Sequence, residues 1–227
     1  MSRPAPRTKL PFLQNIVKKA ASMPTTTSSS TPFRPYPLLS SHATKQTAGC
    51  TVLYKNHHCL IVNDAFPKSM MHCLVMPLDL RLTSLNVLSI EHVSLLKHME
   101  RAAVEYVQYL RTNEPSKFGG RRYIMGFHAL PSLPMLHMHL LSMDLDSPCL
   151  KTKKHYNSFA TPFFLTSDQV ISDLEQNGEF TLNKDVAALR RMEEQDMRCL
   201  WCGKALENIP RMRNHIKECP QNRSFSN

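Results

Sequence analysis

No aspartate or glutamate occurs before Asp64 in this chain of 227 residues, so the first 63 positions carry no acidic face. No apolar run approaches the length of a membrane-spanning helix, and the expectation is a chain with no membrane partner. The cysteines number seven, an odd count with one clustered set. That argues against a disulfide framework and for a reducing compartment and a metal. Cys50, Cys59, Cys73 and Cys149 sit in apolar or mixed settings, whereas Cys199, Cys202 and Cys219 gather near His215.

What is present is positive charge: 28 Lys and Arg against 18 Asp and Glu, a net +10. The excess favours a polyanion, either nucleic acid or an acidic membrane surface, and does not choose between them. After Pro11 a short amphipathic helix is expected, with Phe12, Leu13, Ile16 and Val17 on one face and Lys18 and Lys19 near its C-terminus. An acid-free start rich in Ser and Thr also fits a mitochondrial transit peptide. Residues 23–41, rich in Pro, Ser and Thr, read as a linker.

Short strands are expected at 51–54, 59–63 and 71–76, with turns at 55–58 and 64–68. The clearest helix runs over 89–111, capped by Ser89, with Val93, Leu96, Met99, Ala103, Val107 and Leu110 on one face. A loop over 113–120 and strands at 123–129 and 136–143 follow. The order suggests α+β, an antiparallel sheet with helices packed on it.

In the last of those strands His137 and His139 are separated by Met138. Alternation puts both imidazoles on one face, about 7 Å apart along the strand, and Leu136, Met138 and Leu140 on the other. One could attack a substrate while the other handles a proton. Spacing alone also allows a solvent-facing edge strand or half of a metal site. His128, upstream across Pro131 and Pro134, could return to the same pocket.

The flanks are more specific. FHALPS, HMHLLS and DSPCLKTKKHYNSF, with VNDAFPKSMMHCLVMP upstream, resemble the histidine-triad superfamily and within it the aprataxin branch, over roughly residues 52–215. The resemblance implies a sheet of five antiparallel strands with a long helix packed on it. It implies that His137 is the nucleophile, that His139 contacts the phosphate and moves protons, and that His128 and Lys68 meet phosphate charge. It further implies that Asp64 binds ribose hydroxyls, that Leu60, Ile61 and Val62 wall the adenine pocket, and that Ser132 donates a hydrogen bond. The family motif is His-φ-His-φ-His-φ-φ, with φ apolar; Met135 stands where the first histidine belongs. Its orienting role is then absent or filled elsewhere. His72 reads as a structural histidine. Lys151, Lys153, Lys154 and His155 form a basic cluster suited to DNA backbone phosphates.

Near the C-terminus, Cys199-x₂-Cys202, twelve residues, then His215-x₃-Cys219 is a zinc-finger pattern. One structural Zn²⁺ is expected there and none in the chemistry. Leu206, Ile209 and Met212 would form the finger's core, and Arg211, Arg213 and Lys217 fit backbone contacts. The divisions expected are 1–47 basic helix and linker, 48–165 catalytic domain, 166–196 connector and 197–227 finger. The resemblance implies a nuclear, monomeric DNA 5′-adenylate hydrolase that acts on nicked or double-stranded ends and releases AMP. It implies a short form without the phosphopeptide-binding domain of some animal members. RNA–DNA junctions as substrates stay open. So do two rival readings, a hydrolase of small adenylates or dinucleotides and a non-catalytic DNA-end-binding protein.

Overall fold

The two apolar runs after the first turn behave as strands buried on both faces should. They pair as Cys59–Asn63 (β2) and His72–Pro77 (β3) in an antiparallel sheet completed by Val52–Lys55 (β1), Tyr123–His128 (β4), Met138–Ser142 (β5) and Phe164–Thr166 (β6). The strand order is β1-β2-β3-β5-β4-β6. The short edge strand β6 adds a sixth to the five implied by the resemblance. This computed structural model describes residues 10–25, 33, 35 and 50–223. Most of the expected linker, and the side chain of Phe12, lie outside the described residues. Among the described residues no helix is long and apolar enough to cross a membrane.

One face of the sheet packs on α2 (Val93–Asn113), which presents Leu96, Met99, Ala103, Val107 and Leu110, all buried, as their spacing predicts. A 3-10 turn, Ile90–His92, leads into it; the Ser89 side chain and His92 close a reciprocal cap there. The expected loop over 113–120 instead holds a helical turn, α3 (Pro115–Phe118). Proline suits the first helical position, where an N–H has no partner in any case, and Phe118 anchors the turn in the core. Cys59, Ile61, Cys73, Val75, Leu136, Met138 and Leu140 supply this face, closed further along by α5 (Ser167–Asn177).

The second face has three parts. At one end α1 (Leu10–Ala21) lays Leu13, Ile16, Val17 and Ala20 on Leu60, Val62, Leu74, Met76 and Met135. Buried Lys55 holds that helix in place by donating to the carbonyls of Ala21 and Met23, where a helix C-terminus favours a cation. At the other end sit α4 (Lys153–Ala160) and the C-terminal finger. The finger is a hairpin of Met197–Arg198 (β7) and Ala205–Leu206 (β8) followed by α7 (Ile209–Glu218). A further helix, α6 (Val186–Glu194), leads into it. Leu206, Ile209 and Met212 are buried as expected, but the finger has no separate core: they pack in one cluster with Leu141, Leu145, Tyr156, Phe159 and Phe164. Between the two covers lies a row of imidazoles.

Candidate active site

His139 points from β5 onto this face, His137 lies just before the strand, His72 comes from β3 and His128 from the end of β4. Register brings them together. His139 is opposite Leu74 and Gly126, and His72 is opposite Leu141, so His72 and His139 are diagonal neighbours on one face. Ring centroids are 5.0 Å apart for His137 and His139, 5.2 Å for His72 and His139, and 4.3 Å for His128 and His139. Phe159 of α4 packs against three of them. Gly126 makes the close packing beside His139 feasible. A Cβ there would lie 2.2 Å from the Leu165 carbonyl oxygen and 2.7 Å from the Phe164 ring.

The hydrogen bonds assign each proton. The Lys68 backbone N–H donates to His72 Nδ1 at 3.0 Å, so that nitrogen carries a lone pair. A neutral His72 then has its proton on Nε2 and donates to His139 Nδ1 at 2.9 Å. The His139 proton is left on Nε2, which is buried and has no partner among the described residues. His137 is set the opposite way: its Nδ1 donates to the Met135 carbonyl at 2.7 Å, which leaves an Nε2 lone pair. One imidazole thus presents a lone pair and its neighbour an N–H. His128 Nε2 is also buried without a partner among the described residues. Buried polar atoms are nearly always satisfied, so two such nitrogens in one cleft mark a place for a polar ligand.

Burial keeps all four rings neutral. Desolvation is the main cause of a lowered pKa at each, reaching about 4 for His72 and about 3 for His128. Neighbouring imidazoles push His128 further down, whereas the Asp64 carboxylate partly opposes the shift at His72. His139 is held well below the ordinary value by the same burial and the rings around it. Burial lowers His137 as well, opposed by the Met135 carbonyl and Asp64, both of which favour its charged form.

His72, which the sequence suggests is a structural histidine, joins the imidazole row. It bonds directly to His139 and lies 3.7 Å from Asp64 Oδ2. The available signal was a histidine in a strand that would otherwise be apolar. Asp64 caps its own turn by accepting from Phe66 N–H, and Lys68 donates to the Phe66 carbonyl. Ser132 is exposed in the turn ahead of the histidines. Leu60 and Val62 lie on the histidine side of β2, but Ile61 faces α2. Strand alternation thus removes Ile61 from any wall shared with its neighbours.

The basic residues also divide. Lys151 and Lys153 are exposed and form no ion pair among the described residues. Lys154 pairs with Glu193 at 3.3 Å, and His155 Nδ1 accepts from the Lys151 N–H. Arg211 pairs with Glu207 at 2.7 Å and Lys217 with Asp146 at 2.9 Å. Arg213, expected on a DNA backbone, instead donates to the carbonyls of Ser147 and Leu150 and lies beside Asp146. Its donors join the finger to the segment that follows β5.

In the finger, the ligand atoms of Cys199, Cys202, His215 and Cys219 all lie within 4.8 Å of one another. Cys199 and Cys219 sulfurs are 3.9 Å apart, and Cys202 Sγ is 3.2 Å from His215 Nε2. A tetrahedral zinc with bonds of about 2.3 Å to sulfur separates two thiolates by about 3.8 Å, so these residues fit the ion.

A five-strand antiparallel core with a long helix on one face and paired imidazoles on the other defines the histidine-triad class. Comparison with known proteins agrees. The family described as scavenger mRNA decapping enzyme C-term binding matches residues 39–155, and the C2HE / C2H2 / C2HC zinc-binding finger matches 160–222. Aprataxin of Danio rerio is 39% identical over 165 residues, 73% of this chain and 48% of that protein. The aprataxin-like protein of Schizosaccharomyces pombe is 33% identical, across 74% of this chain and 73% of its own. The crystal structure of the aprataxin ortholog Hnt3 in complex with DNA superposes with a TM-score of 0.55 at 30% identity, covering 74% of this chain and 85% of that one. The chain belongs to the aprataxin family. It spans about half the length of the animal relatives it matches, 48% of the Danio rerio and 50% of the Gallus gallus protein.

Proposed function

We propose that this chain is a DNA 5′-adenylate hydrolase, removing AMP left on 5′ ends by abortive ligation during single-strand break repair. The observation that carries the reading is the opposed pair of neutral rings, a lone pair on His137 Nε2 beside an N–H on His139 Nε2. The Hnt3 structures in complex with DNA, and with DNA and guanosine, support a nucleic-acid end as the substrate.

In this mechanism His137 Nε2 attacks the α-phosphorus of the adenylate. The bond to the DNA 5′-phosphate breaks, and a covalent histidine–AMP intermediate forms. His139 Nε2–H hydrogen-bonds the phosphate oxygens and supplies a proton to the departing group. Water then cleaves the N–P bond, releasing AMP and restoring His137. Lys68 and His128 contact the phosphates, Ser132 donates a hydrogen bond, and Asp64 accepts from the ribose hydroxyls. Leu60 and Val62 are covered by α1, so they stiffen the floor of the nucleoside site. With Met135 in place of the first histidine, the orienting imidazole is His72, which bonds to His139.

Lys151 and Lys153 would take backbone phosphates beside the pocket, and Arg211 and Lys217 would do so from the finger after exchanging their carboxylate partners. One zinc held by Cys199, Cys202, His215 and Cys219 would be structural, with no metal in the chemistry. A monomer working in the nucleus, on RNA–DNA junctions as well as DNA ends, completes the proposal. One observation favours the small-adenylate reading: the imidazoles and Asp64 lie together without a finger side chain between them among the described residues. Turnover on a nicked duplex bearing a 5′-adenylate, compared with turnover on AMP-lysine, separates the two. The DNA substrate should win in kcat/KM by at least about a hundredfold. Equal or better turnover of AMP-lysine would make the small adenylate the substrate.

A further inference from the structure

Ser147 belongs to the DSPCLK segment, is 3% exposed and has no part in the mechanism above. Its hydroxyl is fully engaged. Oγ accepts from the Cys149 N–H at 3.2 Å and donates to the Pro67 carbonyl. That carbonyl and the Lys68 N–H belong to one planar peptide unit, so fixing the first orients the second. The Lys68 N–H sets the tautomer of His72, and His72 sets that of His139. A continuous chain of hydrogen bonds therefore leads from Ser147 to the N–H that His139 presents in the cleft.

The segment carrying Ser147 is itself fastened at both ends. Arg213 of α7 donates to the Ser147 and Leu150 carbonyls, and the Leu150 N–H adds a bond to the former at 3.0 Å. Asp144 Oδ1 accepts from Met70 N–H at 2.9 Å and from Asp146 N–H at 3.1 Å, which ties the segment again to the loop holding Lys68. Between them Leu145 adopts φ +45°, a left-handed conformation that costs a non-glycine residue energy. Its side chain, fully buried in the cluster shared with the finger, holds it there.

We infer that Ser147 is a positioning residue for the catalytic imidazoles, and that Arg213 carries this restraint over from the finger. The inference rests on the proposed hydrolase mechanism and gives the finger a second task beside gripping DNA. It predicts that a defect far from the reacting atoms alters which nitrogen of His72 bears the proton.

The test uses the full zinc-loaded chain with Ser147→Ala, Ser147→Thr and Arg213→Gln, each checked for melting temperature and zinc content. Single-turnover AMP release from an adenylated nicked duplex should slow about tenfold at saturating DNA in Ser147→Ala, with KM changed less than about twofold. Ser147→Thr keeps the hydroxyl and should stay within about threefold of the parent. Nitrogen-15 shifts of the His72 ring should report one tautomer in the parent and Ser147→Thr, and a mixture in Ser147→Ala and Arg213→Gln. A single unchanged tautomer in Ser147→Ala, or a threonine variant as slow as the alanine one, overturns the inference. If the parent releases no AMP at all, the proposed function falls, while the His72 tautomer still decides the role of Ser147.

Discussion

The histidine pocket clusters imidazole nitrogens and the finger clusters three sulfurs with one nitrogen, and they hold them by opposite means. In the pocket His72, His137 and His139 are each fixed by a backbone group or by another ring, and burial keeps the rings neutral. In the finger the four ligand atoms converge with few hydrogen bonds between them, and only a cation makes that convergence favourable. The difference teaches that proton placement can be written into a fold through peptide orientation, whereas a small module of this size borrows its stability. The two regions nevertheless share one apolar cluster, so damage to either should reach the other.

The largest effect should come from His137→Ala, which removes the lone pair and nothing from the finger. Single-turnover AMP release is expected to fall by at least about 10⁴-fold, with zinc content unchanged and DNA affinity within about twofold. Next is Cys199→Ser, which opens the finger. Tyr156 and Asn157 of α4 bond to the carbonyls of Arg198, Glu193 and Gln195, so α4 and its Phe159 should loosen with it. We expect a melting temperature lower by several degrees and turnover reduced about tenfold even on AMP-lysine, a substrate with no nucleic acid for the finger to hold. Unchanged AMP-lysine turnover would show the regions to be independent.

Gly126→Ala tests the pocket's packing alone. The added methyl meets the Leu165 carbonyl and the Phe164 ring, and urea unfolding should show a loss of about 2 kcal/mol with zinc content unchanged. The effect of pH is gentler. His72 and His128 titrate at about 4 and about 3 in the folded chain, below the ordinary 6.5. As pH falls below 6.5 the unfolded chain binds protons that the folded chain does not. This contribution to stability is whole above 6.5 and declines as pH drops toward 4 and then 3. Melting temperatures across that window should fall with pH, and replacing His128 with Gln should flatten the slope. The smallest effect expected is on DNA affinity: Lys151→Ala should lower the slope of log K against log salt by about 0.9, the value for one phosphate contact. Lys154→Ala should do less, because its ammonium already pairs with Glu193.

Much of the fold was legible because periodicity reports burial directly. The face of α2, the strands around the first turn and the inward set Leu136, Met138 and Leu140 all follow from it. The convergence of Cys199, Cys202, His215 and Cys219 was legible from spacing, since Cys-x₂-Cys and His-x₃-Cys each bring two side chains to one end of a short element. Other features were not. His72 looked like a core histidine because its partner is 67 residues away, and only sheet register joins them. Ile61 was grouped with Leu60 and Val62 through the family resemblance, against the alternation that sends it to the other face. The intramolecular partners of Arg213 and Lys154 were not legible either, because charge in a sequence does not show which carboxylate or carbonyl lies beside it.

The central claim is that His137 forms a covalent bond to AMP while its neighbour delivers the proton. Acid quenching a single turnover on radiolabelled adenylated DNA, followed by peptide mapping, tests it most directly. The account predicts a transient AMP adduct on the peptide containing His137, on the nitrogen not bonded to the Met135 carbonyl, decaying as free AMP appears. AMP released at full rate with no adduct at any time point would contradict it.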